Sequence, residues 1–218
     1  MKTYKHVLFD LDGTLADPSE GITKCIAYAL QHFGIQIDDL KTLESWIGPP
    51  IKDSLRAIYN FDDGQAELAV QKYRERFATK GIYENKLFDE VPELLSKLKR
   101  NNFSIYLATS KPEPYAEQIV KHFGISEYFD FVGGAAMDDS RPTKAHVIER
   151  VLQQTNLVDL SRALMIGDRK YDIIGGQTFD IDTAGILHGF GYETELKQAG
   201  ATYVFADLNA LTDFLITQ

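Results

Sequence analysis

The regular alternation of short apolar runs with amphipathic helical patterns is the feature that most restricts how this chain folds. Runs rich in β-branched and aromatic residues predict strands at residues 7–9, 104–110, 129–133, 163–168, 182–187 and 201–205. Helical patterns lie between them, such as Val91, Leu94, Leu95 and Leu98, which share one face of a helix. Because strands that alternate with helices join through right-handed crossovers, the pattern predicts an α/β fold with a parallel sheet flanked by helices.

One long segment interrupts this alternation. Between about residues 18 and 81 the apolar spacing predicts helices near 22–33, 51–58 and 68–77, and no strand. A long irregular crossover is the alternative, but structureless loops of that length are uncommon. The sequence therefore predicts a sheet domain formed by residues 1–16 and 82–218, with an all-helical domain inserted at 17–81.

Composition and charge narrow the class of protein. The chain has 218 residues, of which 44% are hydrophobic and 25% charged, and this is typical of a globular protein. A formal net charge of -9 disfavours binding to a nucleic acid polymer or an anionic membrane. The single cysteine, Cys25, excludes an intramolecular disulfide, and no run approaches the roughly 20 apolar residues of a membrane span. We expect a cytoplasmic protein.

Acidic residues follow two of the predicted strands. Asp10 and Asp12 come directly after the first strand, and Asp168 and Asp172 follow the strand at 163–168. Ligands of parallel sheets bind at the carboxyl ends of the strands, and sites built from oxygen ligands alone suit Mg²⁺. Each pair taken alone also fits a turn or a helix cap. Two such pairs in one sheet favour a magnesium site.

Four motifs in order resemble those of the haloacid dehalogenase superfamily, over essentially the whole chain. They are Asp10-Leu11-Asp12-Gly13-Thr14-Leu15-x-Asp17, then Thr109, Lys144 and Gly167-Asp168-x-x-x-Asp172. Residues 47–54 resemble the corresponding segment of the phosphoglycolate phosphatase and 5′-nucleotidase-like branch. The resemblance implies a Rossmann-like core with an all-helical cap inserted after the first motif.

The resemblance also implies roles for the catalytic residues. Asp10 is the expected nucleophile, and Asp12 is the expected general acid and then general base. Thr109 is expected to hydrogen-bond a phosphate oxygen, and Lys144 to place a positive charge against Asp10. Taken alone, Thr109 is a strand-end residue and Lys144 is a solvated lysine at a helix start.

A magnesium ion and a phosphate ester complete the expected site. The resemblance implies Mg²⁺ held by Asp10, Asp168 and the backbone carbonyl of Asp12, with Asp172 acting through water or a second hydrogen bond. The expected substrate-binding residues are Gly13, Thr14, Ser110, Lys111 and, from the helical domain, Lys52. Lys52 is equally interpretable as a surface lysine, Ser110 and Lys111 as loop residues, and Asp17 as a helix cap.

The predicted function is Mg²⁺-dependent hydrolysis of a small phosphomonoester through an aspartyl-phosphate. A 2-haloacid dehalogenase is an alternative within the superfamily, but such enzymes lack the second aspartate that Asp12 provides. A sugar-phosphate mutase is a further alternative, although that branch has histidine where this chain has Ile22. A phospho-accepting receiver domain or a non-enzymatic interaction protein is the alternative outside enzymes.

The substrate and the assembly stay open at this stage. Phosphoglycolate, a 5′-nucleotide and a sugar phosphate all fit the resemblance, and the chain is expected to be a monomer or a homodimer. We expect residues 48–54 of the helical domain to lie over the leaving group and to select the substrate.

Overall fold

The computed structural model describes residues 2–48, 51–138, 140 and 143–217. The chain divides into two compact units. One unit contains the residues up to Ala16 together with those from Leu87 onwards, and the other runs from Asp17 to Lys86. The second unit thus ends at Lys86 rather than at the expected residue 81. The backbone N–H of Gly21 donates to the carbonyl of Glu84 at 2.9 Å, and this hydrogen bond ties the extra residues to the helical unit.

The first unit is built around a parallel sheet of six strands. The strands are β1 (His6–Phe9), β4 (Ser104–Pro112), β5 (Phe131–Ala135), β6 (Ala163–Gly167), β7 (Asp182–Ile186) and β8 (Tyr203–Phe205). Their order is β5-β4-β1-β6-β7-β8, and every neighbouring pair is parallel. This arrangement confirms the predicted Rossmann-like sheet.

Helices flank this sheet. They are α4 (Val91–Arg100), α5 (Glu113–His122), α6 (Lys144–Thr155), α7 (Lys170–Gln177), α8 (Glu193–Gln198) and α9 (Leu208–Ile216). Leu8, Tyr106 and Met165 lie side by side on three neighbouring strands. They pack with Val147 and Val151 of α6 in one apolar cluster. Val91, Leu94, Leu95 and Leu98 are all buried, as their spacing predicts. Burial of these apolar faces is what holds the helices on the sheet.

The strand order contains a reversal at its centre. The chain leaves β1 towards β4 on one side, whereas it leaves β6 towards β7 on the other. Such a reversal opens a crevice at the carboxyl ends of the two neighbouring strands. Asp10 directly follows β1 and Asp168 directly follows β6, so the fold places both carboxylates at this crevice.

The second unit is helical. It contains α1 (Ser19–Gln31), α2 (Ile51–Tyr59), α3 (Asp63–Arg76), a 3-10 helix (Leu40–Trp46) and a π-helical turn (Phe77–Gly81). The side chain of Asp17 accepts a hydrogen bond at 2.9 Å from the N–H of Ser19, the first residue of α1, although the N-cap position itself is Pro18. Ala66 and Ala69 are buried on α3. Leu68 on the same helix is 37% exposed, so it is not a core residue.

Two very short strands were not expected from the sequence. These are β2 (Ala16–Asp17) and β3 (Lys86–Leu87), which pair with each other in a separate two-stranded sheet. The boundary between the two units falls within both strands. Across the part of the chain that the structure describes, no helix has the length and apolar character needed to cross a membrane.

Candidate active site

The loop after β1 is a tight turn that carries the first two carboxylates. The backbone N–H of Asp10 donates to the carbonyl of Ile166 at 2.9 Å, which extends the pairing of β1 with β6. The Leu11 carbonyl then accepts from the N–H groups of Leu15 and Ala16, at 2.9 and 3.0 Å. Gly13 has φ of +84°, and a Cβ there would lie 2.3 Å from Asp168 Oδ2. Only glycine fits this position.

The loop after β6 supplies the other two carboxylates. Asp168 is fully buried, and Asp172 lies in the first turn of α7, where its Oδ2 accepts the Arg169 N–H at 3.1 Å. A Cβ at Gly167 would lie 2.1 Å from Asp172 Cγ. The absence of a side chain at Gly167 therefore lets the Asp172 carboxylate fold back against the end of β6.

Asp10, Asp168 and Asp172 form a group able to hold a cation. Each offers a carboxylate oxygen, and these oxygens all lie within 4.8 Å of one another. Asp10 Oδ1 and Asp172 Oδ1 are buried, and the Lys144 ammonium lies within 2.8 Å of both. Hard carboxylate oxygens of this kind fit Mg²⁺. The side chain of Asp12 is directed elsewhere, because its Oδ2 pairs with Lys111.

Lys144 is the cation at the centre of this group. It begins α6, and the preceding Thr143 caps the helix. Its Nζ lies 2.8 Å from Asp10 Oδ1 and 2.7 Å from Asp172 Oδ1, and it donates to the Ala108 carbonyl at 2.9 Å. Burial opposes its protonation, but the two carboxylates outweigh burial and hold the pKa of Lys144 above its ordinary value. Lys144 therefore stays charged.

The end of β4 provides the remaining polar groups. Thr109 is buried, and its Oγ1 accepts the Lys111 N–H at 3.2 Å. The pairing of β4 with β5 shifts register between Thr109 and Pro112. Across that irregularity Ser110 is exposed, whereas Lys111 is buried with its Nζ 2.7 Å from Asp12 Oδ2. The structure thus brings Thr109 and Lys111 to the end of β4 and turns Ser110 outwards.

The charge balance of the site favours a divalent cation. Four carboxylates face two ammonium groups, so two negative charges stay uncompensated when all six groups are ionised. Burial raises the pKa of Asp12 against the opposing effect of Lys111. Burial, reinforced by the carboxylates of Asp172 and Asp10, raises the pKa of Asp168. Burial also raises the pKa of Asp172 to about 6, although Lys144 opposes it. A bound divalent cation would remove this electrostatic penalty.

The loop after β7 is a part of the site that sequence reasoning missed. The backbone N–H of Phe190 donates to Asp168 Oδ2 at 2.7 Å. His188 Nε2 lies 3.0 Å from the Thr14 carbonyl oxygen, and Thr14 Oγ1 lies 3.4 Å from Asp168 Oδ1. The available sequence signal was Gly189-Phe190-Gly191, in which two glycines flank an aromatic residue just after the strand predicted at 182–187. The loop fixes the orientation of Asp168 through a main-chain hydrogen bond.

Replacing Gly189 tests whether this loop positions Asp168. A Cβ at Gly189 would lie 2.4 Å from both Asp168 Oδ2 and the Gly13 carbonyl oxygen. We expect Gly189→Ala to weaken Mg²⁺ or Mn²⁺ binding about 10- to 100-fold, the usual effect of disturbing a group that orients a metal ligand. Isothermal titration of the folded protein measures it. The control is Gly64→Ala, whose nearest contact would be at 3.5 Å, and equal affinities of the two variants would contradict the role of the loop.

Other predicted residues belong to the second unit or to segments outside the described residues. Lys52 belongs to the helical unit, where its Nζ pairs with Glu67 Oε1 at 2.9 Å. Its expected role towards substrate stays a prediction, as does that of residues 48–54, of which Pro49 and Pro50 lie outside the described residues. Arg141 and Pro142, which precede Lys144 in the third motif, also lie outside them.

Comparisons with known proteins agree with this geometry. A family model described as haloacid dehalogenase-like hydrolase matches residues 7–186. A 5′-nucleotidase from Pseudomonas aeruginosa is 42% identical over 97% of this chain and 96% of its own length. The tyrosine-protein kinase PtkA from Mycobacterium tuberculosis is 35% identical over 91% of this chain and 67% of its own. The crystal structure of a predicted phosphatase from Clostridium acetobutylicum has a TM-score of 0.93 and 42% identity, covering 99% of this chain and 100% of that one.

Proposed function

Since the chain belongs to the haloacid dehalogenase-like hydrolases and is a phosphatase, we propose that it hydrolyses a small phosphomonoester with Mg²⁺ through an aspartyl-phosphate. The family resemblance read from the four motifs is confirmed. The observation that carries the proposal is the buried group of Asp10, Asp168 and Asp172 around Lys144. It combines a nucleophile, cation ligands and a fixed positive charge at one crevice.

Asp10 performs the first half of the proposed reaction. One of its carboxylate oxygens attacks phosphorus, and the bond between phosphorus and the ester oxygen breaks. Asp12 gives its proton to that departing oxygen, so the alcohol leaves neutral. Lys144, 2.8 Å from Asp10 Oδ1, orients the nucleophile and offsets the charge of the transferring group.

The second half of the reaction regenerates the enzyme. Asp12, now ionised, takes a proton from a water molecule that attacks the phosphorus of the aspartyl-phosphate. The bond between phosphorus and the Asp10 oxygen breaks, releasing inorganic phosphate and restoring both carboxyl groups to their starting forms. Thr109, buried at the end of β4, would donate its hydroxyl hydrogen to a phosphate oxygen.

Asp10, Asp168 and Asp172 would hold the Mg²⁺ ion, with the Asp12 backbone carbonyl as a further ligand. When bound, this ion supplies Lewis-acid polarisation of a phosphoryl oxygen. Phe190 and Arg169 donate backbone hydrogen bonds to Asp168 and Asp172, at 2.7 and 3.1 Å, and keep those carboxylates oriented towards the crevice. These contacts prepare the ligands before a substrate binds.

A 5′-nucleotide is the substrate that we favour. The relative from Pseudomonas aeruginosa, 42% identical over nearly the whole of both chains, is named a 5′-nucleotidase. The net charge of -9 does not oppose this choice, because a free nucleotide binds through its phosphate and base rather than through a polyanionic backbone. Lys52 is the residue of the helical unit that we expect to contribute to recognition.

A phosphate-release assay tests the proposal. The purified protein is incubated with AMP, 2-phosphoglycolate and glucose 6-phosphate, each with Mg²⁺ and with EDTA in its place. We expect kcat/KM for AMP to exceed the others by about tenfold or more, which requires roughly 1.4 kcal/mol of differential transition-state binding, and EDTA to abolish release. Because one relative is named a kinase, ATP with a tyrosine peptide forms a further arm. Phosphate release that is unaffected by EDTA, or peptide labelling without ester hydrolysis, would contradict the proposal.

A further inference from the structure

The site holds a second buried lysine, Lys111, that the mechanism above does not use. Its Nζ lies 2.7 Å from Asp12 Oδ2, and the side chains of Lys111 and Asp12 are 5% and 17% exposed. Burying a lysine is costly unless a charged partner is close, and breaking such a buried pair is strongly unfavourable. The pairing is therefore a fixed feature of the site rather than a flexible surface contact.

Lys111 lies near the end of β4, on the face of the strand that Thr109 also occupies. Alternation along the strand places Thr109 and Lys111 on one face and Ser110 on the other, and the pairing of β4 with β5 shifts register between Thr109 and Pro112. Thr109 and Lys111 are both buried, and the Lys111 N–H donates to Thr109 Oγ1 at 3.2 Å. Lys111 is thus held by its own backbone next to a residue that we expect to bind phosphate.

The two lysines divide the carboxylates of the first motif between them. Lys144 pairs with Asp10 and Asp172, whereas Lys111 pairs with Asp12. Different partners give neighbouring carboxylates different tasks, because each partner fixes the orientation and charge preference of its own group. This division separates the expected nucleophile from the expected proton donor.

The two oxygens of Asp12 have different surroundings. Oδ2 is held by Lys111, whereas Oδ1 is buried and has no hydrogen-bond partner among the described residues. A buried carboxylate oxygen without a partner is unfavourable unless a ligand completes it. The oxygen opposite the lysine contact is therefore the one available for proton transfer.

We propose that Lys111 is a positioning residue that grips Asp12 Oδ2 and so presents Asp12 Oδ1 to the reacting oxygen. This inference rests on the proposed function. In the first half of the reaction the proton on Oδ1 passes to the ester oxygen as its bond to phosphorus breaks. In the second half, Oδ1 takes a proton from the attacking water. Lys111 keeps its own proton throughout and acts only through Asp12.

The competing interpretation is that Lys111 binds the substrate phosphate directly, as the sequence alone predicts. The two roles differ in their dependence on the leaving group. A proton donor is essential for an alcohol, which leaves poorly as an alkoxide, and dispensable for 4-nitrophenol, which leaves readily as its anion. A lost phosphate ligand would impair both kinds of ester equally.

The experiment compares kcat/KM for AMP and for 4-nitrophenyl phosphate in the full-length protein with saturating Mg²⁺. We expect Lys111→Met to lower kcat/KM for AMP about 10²-fold, since general acid catalysis contributes 10²–10⁴-fold, and to lower that for 4-nitrophenyl phosphate less than about fivefold. Lys111→Arg should recover part of the loss with AMP. In an Asp12→Ala background, Lys111→Met should produce no further selective loss.

Controls distinguish a failure of the proposed phosphatase function from a failure of the positioning role of Lys111. Lys99→Met removes a lysine that pairs with Asp130 at 2.7 Å near the surface, and it should leave both substrates unaffected. If the wild type hydrolyses neither ester, the proposed function fails. If the wild type is active and Lys111→Met lowers both esters equally, only the positioning role is overturned. A partly unfolded variant would also lower both equally, so thermal unfolding and the Lys111→Arg variant are measured alongside.

Discussion

Replacing Asp10 by asparagine is expected to abolish turnover, with kcat falling by at least about 10⁴-fold. An amide oxygen is a far weaker nucleophile than a carboxylate, so the first bond to phosphorus would not form. The folded protein should persist, because the substitution keeps the shape of the side chain and removes one of four crowded negative charges. We therefore expect a melting temperature equal to or above that of the wild type without metal.

Trapping the covalent intermediate tests whether the loss of turnover in Asp10→Asn reflects the loss of the nucleophile. With a ³²P-labelled ester, rapid acid quenching should recover a labelled wild-type protein whose label is released by hydroxylamine, as an acyl phosphate requires. The Asp10→Asn protein should carry no label. Asp17→Asn is the matched control, because the amide oxygen of asparagine can still accept the hydrogen bond that Asp17 accepts from the Ser19 N–H. Undiminished turnover in Asp10→Asn would refute the nucleophile assignment.

Replacing Lys144 by methionine is expected to damage both stability and activity. Methionine is unbranched like lysine and one atom shorter, and it leaves Asp10 and Asp172 without the ammonium that lies 2.8 and 2.7 Å from them. It also removes the donor to the Ala108 carbonyl at 2.9 Å. Removal of one partner from a buried ion pair typically costs about 3–5 kcal/mol in the free energy of unfolding. Loss of a charge that stabilises the transition state typically costs about 10²–10³-fold in kcat.

Urea denaturation with and without Mg²⁺ measures the stability effect of Lys144→Met. We expect a large loss in EDTA and partial recovery in Mg²⁺, because a bound cation supplies part of the missing positive charge. The matched control is again Lys99→Met, whose partner Asp130 has a side chain that is 45% exposed. Partly exposed pairs contribute about 0–1 kcal/mol. Equal losses in the two variants would show that the buried cation has no special structural role.

The central strands β1, β4, β6 and β7 were predictable because most of their residues are buried, so they form nearly continuous apolar runs in the sequence. The edge strand β5 was placed two residues too early, at 129–133 rather than Phe131–Ala135. Gly133 and Gly134 carry no hydrophobic signal, yet a Cβ at Gly134 would lie 2.5 Å from the backbone of Glu113. Strands of two residues, such as β2 and β3, are too short to show any periodicity.

The helical unit shows another limit of apolar spacing. Leu68, Tyr73 and Phe77 indicated the third helix, and α3 is present at Asp63–Arg76. Its buried contacts are nevertheless made by Ala66 and Ala69, whereas Leu68 is partly exposed. Small residues that allow two helices to approach closely carry little weight in a hydrophobic pattern. The helix was therefore predicted and its buried face was not.

The grouping of the carboxylates could be predicted because each follows a strand whose end lies at the crevice. The contact of Lys111 with Asp12 could not, because strand alternation places Lys111 on the same face as Thr109 but does not say which charged group its ammonium meets. The loop around Phe190 was missed because residue types do not tell which backbone N–H will donate to a carboxylate, although Gly189 and Gly191 mark a turn there. Predictions from side-chain chemistry thus reached the carboxylates and Lys144, and they did not reach the main-chain groups that orient Asp168.

The pairing of β2 with β3 has a consequence for how such proteins diversify. The helical unit leaves the sheet domain at Ala16 and returns at Leu87, and these two residues belong to neighbouring strands of one short ribbon. A segment whose ends are already adjacent can be exchanged for another of different length at little entropic cost. Insertions, deletions or substitutions can therefore change the helical unit, while the sheet domain keeps its carboxylates and lysines. The ribbon allows the helical unit to change in length and sequence while the strands that carry the carboxylates and lysines stay as they are.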